Sequence, residues 1–200
     1  MRLLVFSGFL GSGKTTLIIA LAKRLAAAGH RTCFVMNEVG EIGIDQQVMR
    51  DGGLEVWEIT AGCICCQLGS DLVATLHEIS ERFRPAVVIV EASGVATPTG
   101  IIDALGRYRG RPFTERQLVT IIDPTRLQVL LEILTPLAEA QITEADEIVF
   151  SKLDEARSQE IDLAKATARR LNPGARTWGI DASDQQRLEP LLAHLAKDAR

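Results

Sequence analysis

Residues 8–15 read Gly-Phe-Leu-Gly-Ser-Gly-Lys-Thr, which matches the phosphate-binding pattern G-x-x-x-x-G-K-[ST]. An apolar run, Leu3–Ser7, precedes the match, and a helical pattern, Lys14–Ala28, follows it. Glycines allow the backbone of such a loop to wrap a phosphate with its N–H groups inward, and the amino end of the next helix adds partial positive charge. In this pattern Lys14 reaches the β- and γ-phosphates and Thr15 ligates Mg²⁺.

Short apolar runs alternate with amphipathic segments along the rest of the chain. Several runs are apolar without alternation, which is typical of parallel strands covered on both faces. The alternation predicts an α/β fold, a three-layer P-loop NTPase sandwich with a mostly parallel central sheet. We expect its strands at Leu3–Ser7, Thr32–Met36, Glu55–Ile59, Ala86–Val90, Leu118–Ile122, Glu147–Phe150 and Arg176–Ile180. We expect its helices at Lys14–Ala28, Asp71–Phe83, Glu155–Leu171 and Gln185–Lys197, and a flexible loop at Leu105–Gln117.

Composition and charge narrow the class of protein. A chain of 200 residues predicts a single domain, residues 1–200. The net charge of −4 gives no basic excess, so we expect no nucleic-acid partner. The apolar runs are too short for a signal peptide or a membrane span, so we expect a cytoplasmic protein without membrane contact. The four cysteines should then be thiols rather than disulfides.

A carboxylate and a glycine follow the predicted strand Ala86–Val90, in the stretch Glu91-Ala92-Ser93-Gly94. The carboxyl end of a parallel strand lies beside the ligand site in such sheets. Glu91 can therefore hold Mg²⁺ through water, and Gly94 can offer its backbone N–H to a γ-phosphate. The alternative for Glu91 is an acid at the amino end of a helix.

The stretch Ser151-Lys152-Leu153-Asp154 follows another predicted strand and is similar to the guanine-binding pattern N-K-x-D, with serine in place of asparagine. The Asp154 carboxylate can accept hydrogen bonds from guanine N1–H and N2–H₂. Adenine would leave that carboxylate unpaired, and an unpaired buried polar group strongly rejects a wrong ligand. The alternative is a helix-capping aspartate beside a surface lysine.

Most of the chain's cysteine lies in one short stretch, Gly62-Cys63-Ile64-Cys65-Cys66. Thiolates are soft ligands that suit Zn²⁺ and other late first-row metals. In an extended loop Cys63 and Cys65 point the same way, so Cys66 needs a turn to join them. A redox-reactive pair and plain packing are the alternatives to a metal site. A fourth ligand would come from Glu38, Glu41, His77 or a second chain.

The order of these motifs resembles the CobW/HypB/UreG group of P-loop GTPases, and the G-C-x-C-C stretch is similar to that of its CobW branch. The resemblance covers nearly the whole chain and implies one GTP-binding domain without the C-terminal domain of typical CobW proteins. It rests on Gly8–Thr16, Asn37–Asp45, Gly62–Cys66, Glu91–Gly94 with Pro98, and Ser151–Asp154.

The resemblance also implies roles for individual residues. Lys14, Thr15 and Glu91 would form the catalytic set, with Mg²⁺ on Thr15, and Asn37–Asp45 would be the first switch region. The nucleotide, GTP or GDP, would be bound by Gly11, Ser12, Gly13, Lys14, Thr15, Thr16, Gly94, Ser151, Lys152 and Asp154. Zn²⁺, or Co²⁺ or Ni²⁺ in its place, would be bound by Cys63, Cys65 and Cys66, with Glu38 and Glu41 as further candidates.

The function that these expectations describe is hydrolysis of GTP to GDP and phosphate, coupled to metal binding. The residue after Gly94 is Val95, so no glutamine stands there to orient the attacking water, and intrinsic turnover should be slow. The implied partner is a metalloenzyme or corrinoid-enzyme client, and the resemblance implies a homodimer. A non-hydrolysing regulatory switch, a thiol redox sensor using Cys65 and Cys66, and an ATP-dependent kinase are the alternatives.

Overall fold

The computed structural model describes residues 1–36, 55–58, 68–92, 94, 97–181 and 184–197. The expected first switch region, Asn37–Asp45, and the cysteine stretch Gly62–Cys66 lie outside the described residues. The strands are β1 Arg2–Ser7, β2 Thr32–Met36, β3 Glu55–Glu58, β4 Val87–Glu91, β5 Glu115–Ile122, β6 Glu147–Phe150 and β7 Arg176–Gly179. The helices are α1 Lys14–Ala27, α2 Leu68–Arg82, α3 Pro98–Gly106, α4 Pro124–Ile133, α5 Thr135–Thr143, α6 Ser158–Leu171 and α7 Gln185–Leu195.

The strands form one sheet in the order β3-β2-β4-β1-β5-β6-β7. Every strand pair in the described part of the chain is parallel. The α/β P-loop fold expected from the sequence is therefore confirmed. Because β1 lies between β4 and β5, the segments that follow these three strands meet at one edge of the sheet.

The alternation of side chains along β1 divides the core between the two faces of the sheet. Leu4 and Phe6 pack into a cluster with α1 and α7, whereas Leu3 and Val5 pack into a cluster with α2 and α3. All four side chains are almost fully buried. Helices cover both faces of this central strand, which explains why its sequence is continuously apolar. A third cluster joins β6 to α4, α5 and α6.

Each strand expected from the sequence is present, but the helices α3, α4 and α5 were not predicted. Each carries a proline in its first turn, and α3 and α4 begin after a capping side chain, Thr97 or Asp123. Proline is well suited to the first helical turn because the N–H it lacks has no partner there. These Thr-Pro and Asp-Pro pairs therefore marked helix starts that the hydrophobic spacing did not indicate.

The expectation of a flexible loop over Leu105–Gln117 was wrong at both ends. Helix α3 continues to Gly106, and β5 begins at Glu115. In the segment between them, the Tyr108 ring is buried and stacks on Phe113, with ring centroids 5.0 Å apart. Aromatic packing therefore holds this segment in place, although its sequence has no periodic hydrophobic pattern. Helix α6 also differs from expectation, because it begins at Ser158 rather than Glu155.

Charged and polar side chains tie the amino-terminal edge of the sheet to α7. The Arg2 guanidinium at the start of β1 donates a 2.9 Å hydrogen bond to the Leu195 carbonyl. Glu147, buried at the start of β6, accepts hydrogen bonds from Gln117 at 2.9 Å and from the Trp178 indole at 2.6 Å. No helix within the described ranges is both long enough and apolar enough to cross a membrane.

Candidate nucleotide-binding site

The loop between β1 and α1 depends on glycines for its path. Gly8, Gly11 and Gly13 have φ values of +134°, +75° and +92°, which side chains disfavour. At Gly8 a Cβ atom would also lie 2.3 Å from the Ile121 carbonyl oxygen of β5. These three positions therefore need glycine for the loop to turn back over the sheet.

Lys14 begins α1 and is held against this loop. Its side chain is buried, and its Nζ donates hydrogen bonds to the Gly8 carbonyl at 2.9 Å and to the Phe9 carbonyl at 3.2 Å. The carbonyls orient the ammonium group without neutralising its charge. A positive charge is thus fixed at the loop that the sequence predicts to bind phosphate.

Thr15 and Glu91 meet at the same edge, although 76 residues separate them in the sequence. The Thr15 hydroxyl donates a 3.0 Å hydrogen bond to Glu91 Oε1 at the end of β4. A hydroxyl and a carboxylate oxygen in contact form a donor set of the kind that Mg²⁺ prefers, so these residues fit that ion. The helix-capping alternative for Glu91 is not what the structure has, because Thr97 caps α3 by accepting from the Gly100 N–H.

Gly94 lies directly on the loop. A Cβ atom there would be 3.0 Å from the Leu10 nitrogen, a contact tight enough to favour glycine. The Gln141 side chain donates to the Gly94 carbonyl at 3.3 Å. The segment after β4 is therefore packed against the phosphate loop at Leu10.

Ser151, at the end of β6, also contacts the loop. Its buried hydroxyl donates to the Ser12 carbonyl at 2.7 Å and lies 3.2 Å from the Ile122 carbonyl. Lys152 has a φ of +52°, and its Nζ pairs with Asp123 Oδ2 at 3.1 Å. The structure thus links two residues of the expected guanine motif to the phosphate loop and to the end of β5.

Asp123 joins this ion pair to α4. Its buried carboxylate caps the helix by accepting from the Thr125 N–H at 3.0 Å and from the Thr125 hydroxyl at 2.7 Å. Burial alone would raise the pKa of Asp123, but the hydrogen bonds from Thr125 and Lys152, together with the Lys152 charge, hold that pKa below its ordinary value. The carboxylate is therefore ionised at neutral pH.

Arg126, in the first turn of α4, was missed by sequence reasoning. Its Nη1 donates a 2.7 Å hydrogen bond to the Leu10 carbonyl, across 116 residues of sequence. No local pattern marks this arginine, because the contact depends on where α4 begins relative to the loop.

A cleft of about 600 Å³ opens between α1, α7 and the segment after β6. Asp154 is exposed on the turn beyond Lys152 and is not among the described residues that line the cleft. The structure therefore brings Ser151 and Lys152 to the cleft but not the Asp154 carboxylate. The lining includes Gly13, Thr16, Ala20, Lys152, Ile180 and Leu188.

The expected metal ligands Cys63, Cys65, Cys66, Glu38 and Glu41 lie outside the described residues. Within the described ranges, no group of three or more His, Cys, Asp or Glu side chains could hold a metal ion. His77, considered as a fourth ligand, packs against the Tyr108 ring at 4.7 Å. Cys33 is buried in the core.

Comparison with known sequences identifies the family of this chain. The model of the CobW/HypB/UreG nucleotide-binding domain matches residues 2–178. The zinc chaperone CobW of Sinorhizobium sp is 38% identical over 127 residues, 60% of this chain and 35% of that protein. The zinc chaperone YeiR of Escherichia coli K12 is 32% identical over 151 residues, 75% of this chain and 46% of that protein. The chain thus spans less than half the length of these two relatives.

Solved structures share the fold. The hydrogenase maturation factor HypB from Archaeoglobus fulgidus has a TM-score of 0.76 at 20% identity, covering 100% of this chain and 91% of its own. The Zn(II)-bound YjiA GTPase from E. coli has a TM-score of 0.62 at 20% identity, covering 94% of this chain and 60% of its own. Since the family model covers most of the chain and the fold agrees, the protein belongs to the CobW/HypB/UreG family of P-loop GTPases.

Proposed function

We propose that this protein binds GTP, hydrolyses it slowly to GDP and phosphate, and uses that cycle to control a bound metal ion destined for a client metalloprotein. The observation that supports GTP binding and hydrolysis is the meeting of Lys14, Thr15 and Glu91 at one glycine-rich loop. The control of a bound metal ion is supported by the names of the two curated relatives, which are both zinc chaperones.

The chemistry of phosphoryl transfer needs positioning and charge stabilisation more than covalent catalysis. The Lys14 ammonium, held by the Gly8 and Phe9 carbonyls, would stabilise negative charge on the β- and γ-phosphates. Thr15 and Glu91 would hold Mg²⁺, which when bound neutralises part of the phosphate charge. The backbone N–H groups of the loop and the start of α1 would supply the remaining phosphate contacts, from Gly11, Ser12, Gly13 and Thr16.

The base would occupy the cleft beside α1, with Ser151 and Lys152 on its wall. Guanine would then be selected by Asp154, whose exposed turn would close over the base. Gly94, packed against Leu10, would offer its N–H to the γ-phosphate. In this arrangement Gly94 would make a contact with GTP that it cannot make with GDP, because GDP lacks the γ-phosphate.

The metal ion would be bound by Cys63, Cys65 and Cys66, with Glu38 or Glu41 as a further ligand. Thiolates favour Zn²⁺, and Co²⁺ or Ni²⁺ are the other candidates. The cysteine stretch lies between β3 and α2, and the acidic residues lie between β2 and β3. Both connections follow strands of the parallel sheet, as the phosphate loop does, so we expect the metal site to lie at the same edge as the nucleotide. The client would be a metalloenzyme or a corrinoid enzyme, and the active form would be a homodimer.

The test is a competitive zinc titration of reduced protein, performed once with a non-hydrolysable GTP analogue and once with GDP. We expect the zinc affinity to differ between the two states by about 5–150-fold, and zinc to change the ratio of the affinities for the analogue and for GDP by the same factor. A variant with serine at all three cysteine positions should bind the nucleotides but lose the zinc. Asp154→Ala should erase a preference for GTP over ATP of about tenfold or more.

Equal zinc affinities in the two nucleotide states would contradict the coupling and with it the chaperone function. If the zinc affinity depends on the nucleotide but GTP is hydrolysed neither with zinc nor without it, the protein is instead a non-hydrolysing regulatory switch. Zinc retained by the triple serine variant would place the metal site elsewhere.

A further inference from the structure

Arg126 occupies an unusual position relative to the phosphate loop. Its guanidinium donates a 2.7 Å hydrogen bond to the Leu10 carbonyl, and its Nη1 would lie 3.4 Å from a Cβ atom placed on Gly11. The arginine therefore lies against the peptide unit between Leu10 and Gly11. The Leu10 side chain is 71% exposed, so packing of that side chain does not hold the peptide in place.

The geometry of a trans peptide links the two ends of this unit. Its carbonyl and N–H bonds point in opposite directions, and the described part of the chain has no cis peptide. Since the Leu10 carbonyl points to Arg126, the Gly11 N–H must point away from it. Arg126 is not among the described residues that line the cleft beside α1, so an N–H that points away from Arg126 can face a phosphate bound at the loop.

This orientation is one of two that the backbone can adopt. Gly11 has a φ of +75°, and glycine accepts positive and negative φ with similar ease. A flipped peptide would turn the Leu10 carbonyl, rather than the Gly11 N–H, toward the phosphates. A carbonyl oxygen there would repel phosphate oxygens. A hydrogen-bond donor that holds the Leu10 carbonyl on the other side would therefore raise the affinity for phosphate.

We propose that Arg126 is a positioning residue that holds the Leu10–Gly11 peptide in the orientation which presents the Gly11 N–H to a nucleotide phosphate. This proposal rests on the proposed nucleotide-binding function. Arginine suits the role because its guanidinium stays charged and its planar group donates in fixed directions. The side chain starts from α4, whose first turn is fixed by the Asp123 cap, and Asp123 is paired with Lys152.

The test compares Arg126→Met, which removes the donor, with Arg126→Lys, which keeps a charge and a donor. Arg169→Met, at an exposed position on α6, is the control for loss of one positive charge. We expect Arg126→Met to weaken GDP and a GTP analogue about tenfold, the lysine variant to recover part of that loss, and the control to bind as wild type does. Guanosine, which has no phosphate, should bind all variants equally.

A second readout follows the peptide itself. In the nucleotide-free protein, the backbone ¹³C′ resonance of Leu10 and the ¹⁵N resonance of Gly11 should move in Arg126→Met and stay in place in Arg169→Met. Unchanged resonances, or GDP affinity equal to that of wild type, would overturn the proposal. Equal weakening of guanosine and GDP would also overturn it, because a general structural role would affect both. If wild type itself binds no guanine nucleotide, the proposed function fails, whereas normal wild-type binding with an unaffected variant refutes the role of Arg126 alone.

Discussion

The hydroxyl of Ser151 donates a 2.7 Å hydrogen bond to the main-chain carbonyl of Ser12, which joins the segment after β6 to the phosphate loop. Both residues are buried, and 139 positions separate them in the sequence. Ser151 stands where the guanine-binding pattern has asparagine. A short hydroxyl is sufficient here because the two backbones approach closely, so serine at this position links the end of β6 to the glycine-rich loop.

Replacing Ser151 with alanine should weaken nucleotide binding. The change leaves the Ser12 carbonyl without this donor in a buried position, which we expect to cost about 1–3 kcal/mol. We expect GDP and GTP affinities to fall about tenfold, measured by calorimetric titration. Ser80→Ala is the matched control, because Ser80 is a buried serine that donates to the His77 carbonyl within α2. Unchanged GDP affinity in Ser151→Ala would show that the bond does not shape the loop.

Glu91→Gln should separate magnesium-dependent catalysis from nucleotide binding. The amide keeps the size of the side chain and can still contact Thr15, but it removes the negative charge that would hold Mg²⁺. We expect GTP turnover to fall by roughly 10²-fold, while GDP affinity measured without magnesium stays as in wild type. Glu132→Gln, at an exposed position on α4, should leave both quantities unchanged. Wild-type turnover in Glu91→Gln would exclude Glu91 from the magnesium site.

Asp123 should make the stability of the fold depend on pH in the acid range. Its pKa in the folded protein lies below the ordinary value of 3.8, so its ionised form stabilises the fold above that value. This contribution is lost as the pH falls through the lower, folded-state pKa. Asparagine caps helices as well as aspartate does, so Asp123→Asn removes the charge and keeps the cap.

We therefore expect Asp123→Asn to lower the free energy of unfolding at pH 7 by about 1.5–3 kcal/mol, and the difference from wild type to shrink below about pH 4. Urea unfolding at a series of pH values measures this difference. Asp162→Asn, at an exposed position on α6, is the control and should show little effect. A difference that stays constant between pH 7 and pH 3 would contradict the assigned titration.

The parts of the fold that the sequence predicted are those with a local pattern. The central strands β1, β4 and β6 are short and mostly apolar runs, and the glycines of the phosphate loop occupy fixed positions relative to Lys14 and Thr15. The meeting of Thr15 with the carboxylate of Glu91 could also be anticipated, because both follow strands of one parallel sheet.

The parts that sequence reasoning missed depend on tertiary placement or on weak local signals. Helix α4 follows a capping aspartate and begins with a proline, and its apolar spacing alone did not identify it. The contact of Arg126 with Leu10 depends on the tertiary fold, because α4 begins where β5 ends, at the edge of the sheet that carries the loop. The pairing of Lys152 with Asp123 likewise joins segments that follow neighbouring strands. No spacing within the chain encodes such contacts.

The hydrogen bond from Arg2 to the Leu195 carbonyl, 2.9 Å long, makes the first strand and the last described helix spatial neighbours. Arg2 begins β1, and the glycine-rich loop follows the other end of that strand, so this contact lies at the opposite edge of the sheet from Lys14, Thr15 and Glu91. A substitution at Arg2 would therefore loosen the docking of α7 on the sheet without removing any atom that contacts the loop.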